Sequence, residues 1–223
     1  MRNARRRSTV ASALLCVAVL LSACGRDSSR ATTPEHIRGT IQSVDGDALT
    51  VVTSAGPVRV KLAPSTAVAA VVQSDPAHIT EGGFVGITSV TDPDGSQRAV
   101  EVHVFPEAMR GTGEGNFGWD WPNGATAASK MTNGTVSSSK MTNGTVTAQP
   151  GGSSLTLRYG NGTSSDSQTI VIPPGIPVVA IEPGQSGDLQ PGAHIFVVAT
   201  RSSGGALTAN RVLAGKDGVV PPM

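Results

Sequence analysis

Glu101 and His103 are the pair in this 223-residue chain best placed to do chemistry. They lie in a stretch where Val100, Val102 and Val104 alternate with Glu101, His103 and Phe105, the period-two pattern of a strand. Side chains two apart on a strand project from the same face. A carboxylate and an imidazole side by side, with His78 as a third ligand, could hold a divalent metal. The other candidate chemistry is recognition. Phe117, Trp119 and Trp121 crowd into the segment FPEAMRGTGEGNFGWDWPNGATAA, with Asp120 between the tryptophans, in a protein that has only seven aromatic rings. Flat indole faces beside an acceptor suit a glycan or a protein partner. The alternative is that these rings plug the ends of small barrels and join two domains.

Other chemistries find little footing. No G-x-S-x-G occurs, and no histidine stands with a nucleophile and an orienting acid, so a hydrolase is not expected. Gly111-Thr112-Gly113-Glu114-Gly115 begins like a phosphate loop, but Asn116 stands where the last glycine belongs, and the stretch reads as a turn. Asp92 and Asp94 flank Pro93, where carboxylates serve turn geometry. No cofactor is expected and the chain reads as a non-enzyme.

The N-terminus addresses the protein to the cell envelope. Four arginines and no acid fill residues 2–7, and the run from Val10 to Leu21 is apolar apart from Ser12. A membrane span needs about 20 residues, so this shorter run reads as a cleaved signal. Leu21-Ser22-Ala23-Cys24 is similar to the lipobox of bacterial lipoproteins. That resemblance implies cleavage before Cys24, acylation of its thiol, and the lipid bilayer as a partner; two chains suffice for stable anchoring. Gly25 follows, where an aspartate would favour inner-membrane retention, so the expected location is the outer membrane, facing the periplasm.

Removing residues 1–23 takes away four of the seventeen basic residues and none of the sixteen acids, leaving thirteen against sixteen and a net charge of −3. A nucleic-acid partner is therefore not expected. Cys16 leaves with the signal and Cys24 is modified, so no thiol remains for a disulfide or a zinc site.

The elements that must position these residues are strands. Ile37, Gly39 and Ile41 alternate with Arg38 and Thr40, and Val58, Val60 and Leu62 with Arg59 and Lys61, while Asp45-Gly46-Asp47, Ala55-Gly56-Pro57 and Asp92-Pro93-Asp94-Gly95 mark turns. Helix is limited to a possible turn at 76–80. The order then recurs: Arg38-Gly39-Thr40-Ile41 matches Asn143-Gly144-Thr145-Val146, and Gly95, Ala99 and Val102 match Gly205, Ala209 and Val212 at a spacing of 110. In the second copy the positions of Glu101 and His103 are taken by Arg211 and Leu213, which weighs against a metal site.

The division expected is a signal at 1–23, a flexible tether at 24–35, β domains at 36–105 and 140–215, an aromatic, Gly-rich linker at 106–139 and a tail at 216–223. The fold class is all-β. Closing each domain into a small barrel removes its exposed edges, and a flat sandwich is the alternative. The stretches RGTIQSVDGDALTV, GPVRVKL and ITEGGFVGI, with their later counterparts NGTVTAQPGGSSLTL and LQPGAHIFVVATRSSGGALTANRV, resemble the bacterial DUF5666 domains. That resemblance implies two OB-like barrels in tandem and brings no established activity.

The octapeptide SKMTNGTV occurs twice, at 129–136 and 139–146. Its second copy is expected to open the first strand of the second domain. The first copy reads as a duplicate competing for the same edge, and deletion of 129–138 is expected to leave the fold intact. The functional expectation is a lipid-anchored, non-catalytic binding or structural module with an envelope protein or glycan as partner. A periplasmic metal-handling protein is the alternative.

Overall fold

Period-two patterning and turn residues produce twelve strands among the described residues. They are β1 (Glu35–Asp45), β2 (Ala48–Thr53), β3 (Gly56–Gln73), β4 (Phe84–Thr91), β5 (Gln97–Val104), β6 (Gly115–Trp119), β7 (Ser129–Met141), β8 (Ser153–Tyr159), β9 (Asp166–Ile172), β10 (Val178–Pro183), β11 (His194–Arg201) and β12 (Leu207–Gly215). The computed structural model describes residues 34–121, 129–141, 153–160 and 165–223. The signal, Cys24, most of the tether and the second Asn-Gly-Thr-Val lie outside the described residues. Among the described residues helix is confined to three single 3₁₀ turns. One of them, Pro76–His78, falls at the expected 76–80 turn and is capped by Asp75 Oδ1, which accepts from the Ala77 N–H at 2.7 Å. The fold is all-β.

The pairings close two five-stranded rings. In one, β1-β2-β3-β12-β11 returns to β1; in the other, β7-β8-β9-β5-β4 returns to β7. In each ring one pair is parallel, β3 with β12 and β9 with β5. Closure leaves few unpaired edges, the reason given above for a barrel. The alternating residues turn inward and fill each ring. Ile37, Ile41, Leu49, Val51, Val60, Ile195, Val197 and Val212 share one core, and Val85, Ile87, Val102, Leu155, Leu157 and Ile170 share the other. Burying each such side chain contributes about 1.5–3 kcal/mol.

These rings cut across the repeat. The first takes three strands from the front half of the chain and two from the back half, and the second does the reverse. The repeat units at 36–105 and 140–215 are thus not the packing units, and Thr32–Met223 forms one compact unit. The segment expected as a linker, 106–139, supplies β6 and most of β7. The tail packs as well: Met223 is buried with Phe196 and Leu213 in a third cluster between the rings.

The halves are related by a two-fold that runs through β3 and β10. These strands pair antiparallel with Val71 facing Ile181, residues 110 apart in the repeat. The same symmetry corrects the reading of the octapeptide. The Ile41 N–H donates to Ala193 O at 2.9 Å and Ile41 O accepts from the Gly192 N–H at 2.8 Å; Val136 makes the matching bonds to Gly83 and Gly82 at the same distances. Both β1–β2 and β7–β8 carry a bulge, after Ile41 and Val136 respectively. At Gly39 and Gly134 a Cβ would collide with a backbone oxygen of the neighbouring strand, of Val52 and Arg158, so both positions need glycine. The first octapeptide copy is therefore the counterpart of Arg38–Ile41, at a spacing of 95. It lies between β4 on one edge and β6 and β8 on the other.

Candidate functional site

All eight buried polar side chains among the described residues lie on β4, β5 and β7: Thr88, Ser89, Gln97, Glu101, His103, Ser129, Thr132 and Asn133. The fold does not require them. At their repeat counterparts stand Val198, Ala199 and Leu207 for Thr88, Ser89 and Gln97, Leu213 for His103 and Ile37 for Thr132. Five of the eight positions are thus apolar in the other half, while Glu101 and Asn133 correspond to Arg211 and Arg38; at those five the polar choice carries the cost of burying groups that water would otherwise solvate.

Cross-strand register orders this layer. Glu101, Thr88, Met131 and Phe117 are neighbours across β5-β4-β7-β6, and His103, Gly86, Asn133 and Gly115 form the next row. Gly86 has no side chain, and the Phe105 ring and the Asn133 carboxamide take up that space. Asn133 Nδ2 donates to Gly113 O at 2.9 Å, which ties the Gly-rich turn to the sheet. The GTGEG stretch is a turn, as expected, with the Thr112 N–H on Met109 O at 3.0 Å and the Glu114 N–H on Gly111 O at 3.3 Å.

The expected convergence of Glu101 and His103 is present, with His103 Nε2 3.7 Å from Glu101 Oε1. Their exposures are 0% and 2%, so the face they share is closed to water. Burial pushes the Glu101 carboxyl up to about 9 against the opposing pull of the Thr88 hydroxyl and the Arg38 charge, and pushes the His103 imidazole down to about 4. Both are neutral at pH 7, so their proximity is not an ion pair. Thr88 Oγ1 donates to Glu101 Oε1. Among the described residues five buried polar side-chain atoms have no hydrogen-bond partner in the protein: Glu101 Oε2, His103 Nε2, Trp119 Nε1, Thr132 Oγ1 and Asn133 Oδ1.

The third residue of the metal candidate is elsewhere. His78 lies on the 76–78 turn with Nδ1 3.1 Å from Ser74 Oγ. Among the described residues no three His, Cys, Asp or Glu side chains come together to hold a metal ion. Asp92 and Asp94 shape their turn as expected, Asp92 pairing with Arg98 at 3.0 Å and Asp94 accepting from the Ser96 N–H at 2.9 Å.

The aromatic segment is divided among three surroundings. Trp119 packs into the cluster between the rings, 4.5 Å from the His36 ring and 5.9 Å from that of Phe196. Asp120 clamps the segment to β1, accepting from Arg38 Nη1 and Nη2 at 3.0 Å each and lying 2.6 Å from His36 Nδ1. Partial burial alone would raise the Asp120 carboxyl, but Arg38 and His36 hold it below the usual carboxylate range. Trp121 lines an open cavity of about 880 Å³ with Arg98, Pro173 and Pro177.

Phe117, 40% exposed, lines a second cavity of about 410 Å³ together with His103, Phe105, Trp119, Asn133 and Phe196. This cavity sits at the seam, with the polar layer of one ring on one side and Phe196, Val198, Arg211 and Leu213 of the other ring opposite. Its volume lies within the range of small-molecule sites, about 300–1,000 Å³. Thr88, Asn133, Phe196 and Arg211 were not singled out from the sequence. The available signal was the loss of internal symmetry, polar against apolar, at otherwise equivalent strand positions.

No family model, characterised protein or solved structure matches this chain.

Proposed function

We propose that this is a lipid-anchored, non-catalytic binding protein of the cell envelope, and that the seam cavity is its binding site. The carrying observation is the concentration of buried, unpartnered polar atoms on the face beside an aromatic-lined cavity. Such atoms are costly for stability, and the equivalent face of the repeat does without most of them. Catalysis has less support, because Glu101 does not line the cavity and so would not touch a molecule held there.

In this reading the repeats are a DUF5666-like pair of OB-like barrels that have exchanged strands. Their ring order and their parallel third-to-fifth pairing support it. Cys24 carries the lipid, residues 24–35 set the reach from the bilayer, and Gly25 favours the outer membrane. A protein or glycan partner would meet the rims near Phe117 and Trp121.

Two measurements test this. The parent protein is expected to incorporate a radiolabelled fatty acid in cells and Cys24→Ser to incorporate none; labelling that persists in Cys24→Ser would remove the anchor from the proposal. Residues 25–223, screened against small molecules by thermal shift and tryptophan fluorescence, are expected to give saturable ligands whose binding is lost in Phe196→Ala. Ligands that bind this variant as well as the parent would locate the site elsewhere.

A further inference from the structure

Resting on the seam cavity as a binding site, we propose that its ligand is a small amphipathic anion, an aromatic or alkyl body bearing one carboxylate or sulfonate, whose charge is taken by Arg211.

The charge inventory of the seam points this way. Arg38, the arginine nearest the aromatic cluster, is already neutralised by Asp120 and stacked on Phe196 at 5.0 Å. Arg98 is held by Asp92. Arg211 lines the cavity from β12, is half-buried, and has no ion-pair or hydrogen-bond partner among the described residues. A guanidinium stays charged at any physiological pH and presents a planar fork that matches a carboxylate or sulfonate. Among the described residues no aspartate or glutamate side chain lines the cavity. A cationic ligand would thus meet an unbalanced guanidinium and no acidic side chain, the Met223 main-chain oxygen being already engaged by Arg38, whereas an anion is matched.

The remaining wall sets the body of the ligand. Phe105, Phe117, Trp119 and Phe196 surround the space with ring faces and edges. Rings favour offset or edge-on contacts with a flat apolar partner, and a compact aliphatic chain gains the same release from water.

Internal symmetry again separates function from fold. Arg211 occupies on β12 the position that Glu101 occupies on β5, and Phe196 the position of Gly86. The back half therefore supplies the guanidinium and the Phe196 ring, while Phe105, Phe117 and Trp119 come from the same half as Glu101 and His103. Both halves close a ring, so closure by itself demands neither Arg211 nor Phe196.

The test uses residues 25–223, which contain the whole compact unit Thr32–Met223, and two fluorescent probes that share a naphthylamine body: 8-anilinonaphthalene-1-sulfonate, an anion, and N-phenyl-1-naphthylamine, which is uncharged. The anion is expected to bind about tenfold more tightly than the neutral probe, the equivalent of one charge-assisted contact, with quenching of tryptophan emission. Arg211→Met, which keeps the apolar stem, is expected to remove that preference and leave the neutral probe's affinity unchanged. Phe196→Ala is expected to weaken both probes, and the melting temperature of each variant checks that it is folded. Equal affinities in the parent, or an anion preference that survives Arg211→Met in a folded variant, would overturn the anion assignment while leaving the binding site in place. Failure of both probes to bind saturably, or binding that ignores Phe196→Ala, would remove the site itself.

Discussion

Val71 and Ile181 face each other across the antiparallel pair of β3 and β10, both fully or almost fully buried, at equivalent positions of the two halves. A residue and its repeat counterpart meet in this way only on a two-fold axis. Beyond this axis each half sends its last two strands into the other half's ring. The front half closes the back half's barrel and the back half closes the front's. Stability is therefore shared between segments far apart in the chain, as in a domain-swapped dimer whose two protomers have been joined.

Neither half is expected to fold alone. Residues 34–121 lack the β11 and β12 residues that line the first core, and residues 122–223 lack β4 and β5 of the second. Expressed separately, each should show no cooperative unfolding as a monomer by circular dichroism, and mixing them should restore a 1:1 complex by light scattering. A cooperatively folded, monomeric half would contradict the exchange.

Deletion of 129–138 is expected to leave the fold intact, for a different reason from the one the sequence suggests. The deleted copy is the one in β7, but the deletion brings the identical 139–146 octapeptide to the same distance from Trp119. Gly134→Val and Gly144→Val dissect this. With both glycines replaced, the clash with Arg158 cannot be escaped and a loss of about 3 kcal/mol or more is expected. With Gly134 alone replaced, the second copy can take the strand and the loss should be smaller. Equal losses in the single and double variants would show that the copies do not interchange.

Stability should decline on both sides of mildly acidic pH. Glu101 titrates near 9 in the folded protein against an ordinary 4.5, so between these values the folded state holds a proton that the unfolded state releases, and stability falls as pH rises. His103 titrates near 4 against 6.5, so between these values the unfolded state binds the extra proton, and stability falls as pH falls. Each group alone has a limiting slope of about 1.4 kcal/mol per pH unit. Glu101→Gln should flatten the alkaline limb and His103→Leu the acid limb in urea titrations from pH 4 to 9. An alkaline limb unchanged in Glu101→Gln would place the responsible group elsewhere.

The two tryptophans should part company. Trp119→Ala removes a ring packed between the barrels and is expected to cost about 2–3 kcal/mol. Trp121→Ala trims the wall of an open cavity and is expected to cost less than about 1 kcal/mol. Thermal melts of both variants check this, and a stable Trp119→Ala protein would restore that ring to the role of an exposed recognition element.

Much of the site was legible as local pattern and little of it as environment. The alternation around Val102 places Glu101 and His103 on one face, and the structure has them there. The sequence could not show that this face is buried, because the residues across the seam, Phe196 and Leu213, come from more than ninety positions away. His78 was drawn into a metal set by residue type, and the 76–78 turn keeps it against Ser74. The octapeptide was ambiguous because its two copies are identical, and the choice falls to what flanks them: the first copy pairs with β6, where Phe117 lies beside Met131.

The sequence by itself determined the turns and the strands outside 106–139, together with the signs of duplication, since period-two burial and turn conformations are properties of a few adjacent residues; β6 and most of β7 fell in the segment read as a linker. Which half each strand joins was decided only in three dimensions. In a duplicated chain the contacts within its own half and across to the other are nearly equivalent, and local pattern cannot rank them. The segments that cross between the rings, together with the packing of Phe196, Leu213, Trp119 and Met223 at the seam, settle it, and in doing so they bring His103 and Arg211 to the wall of one cavity.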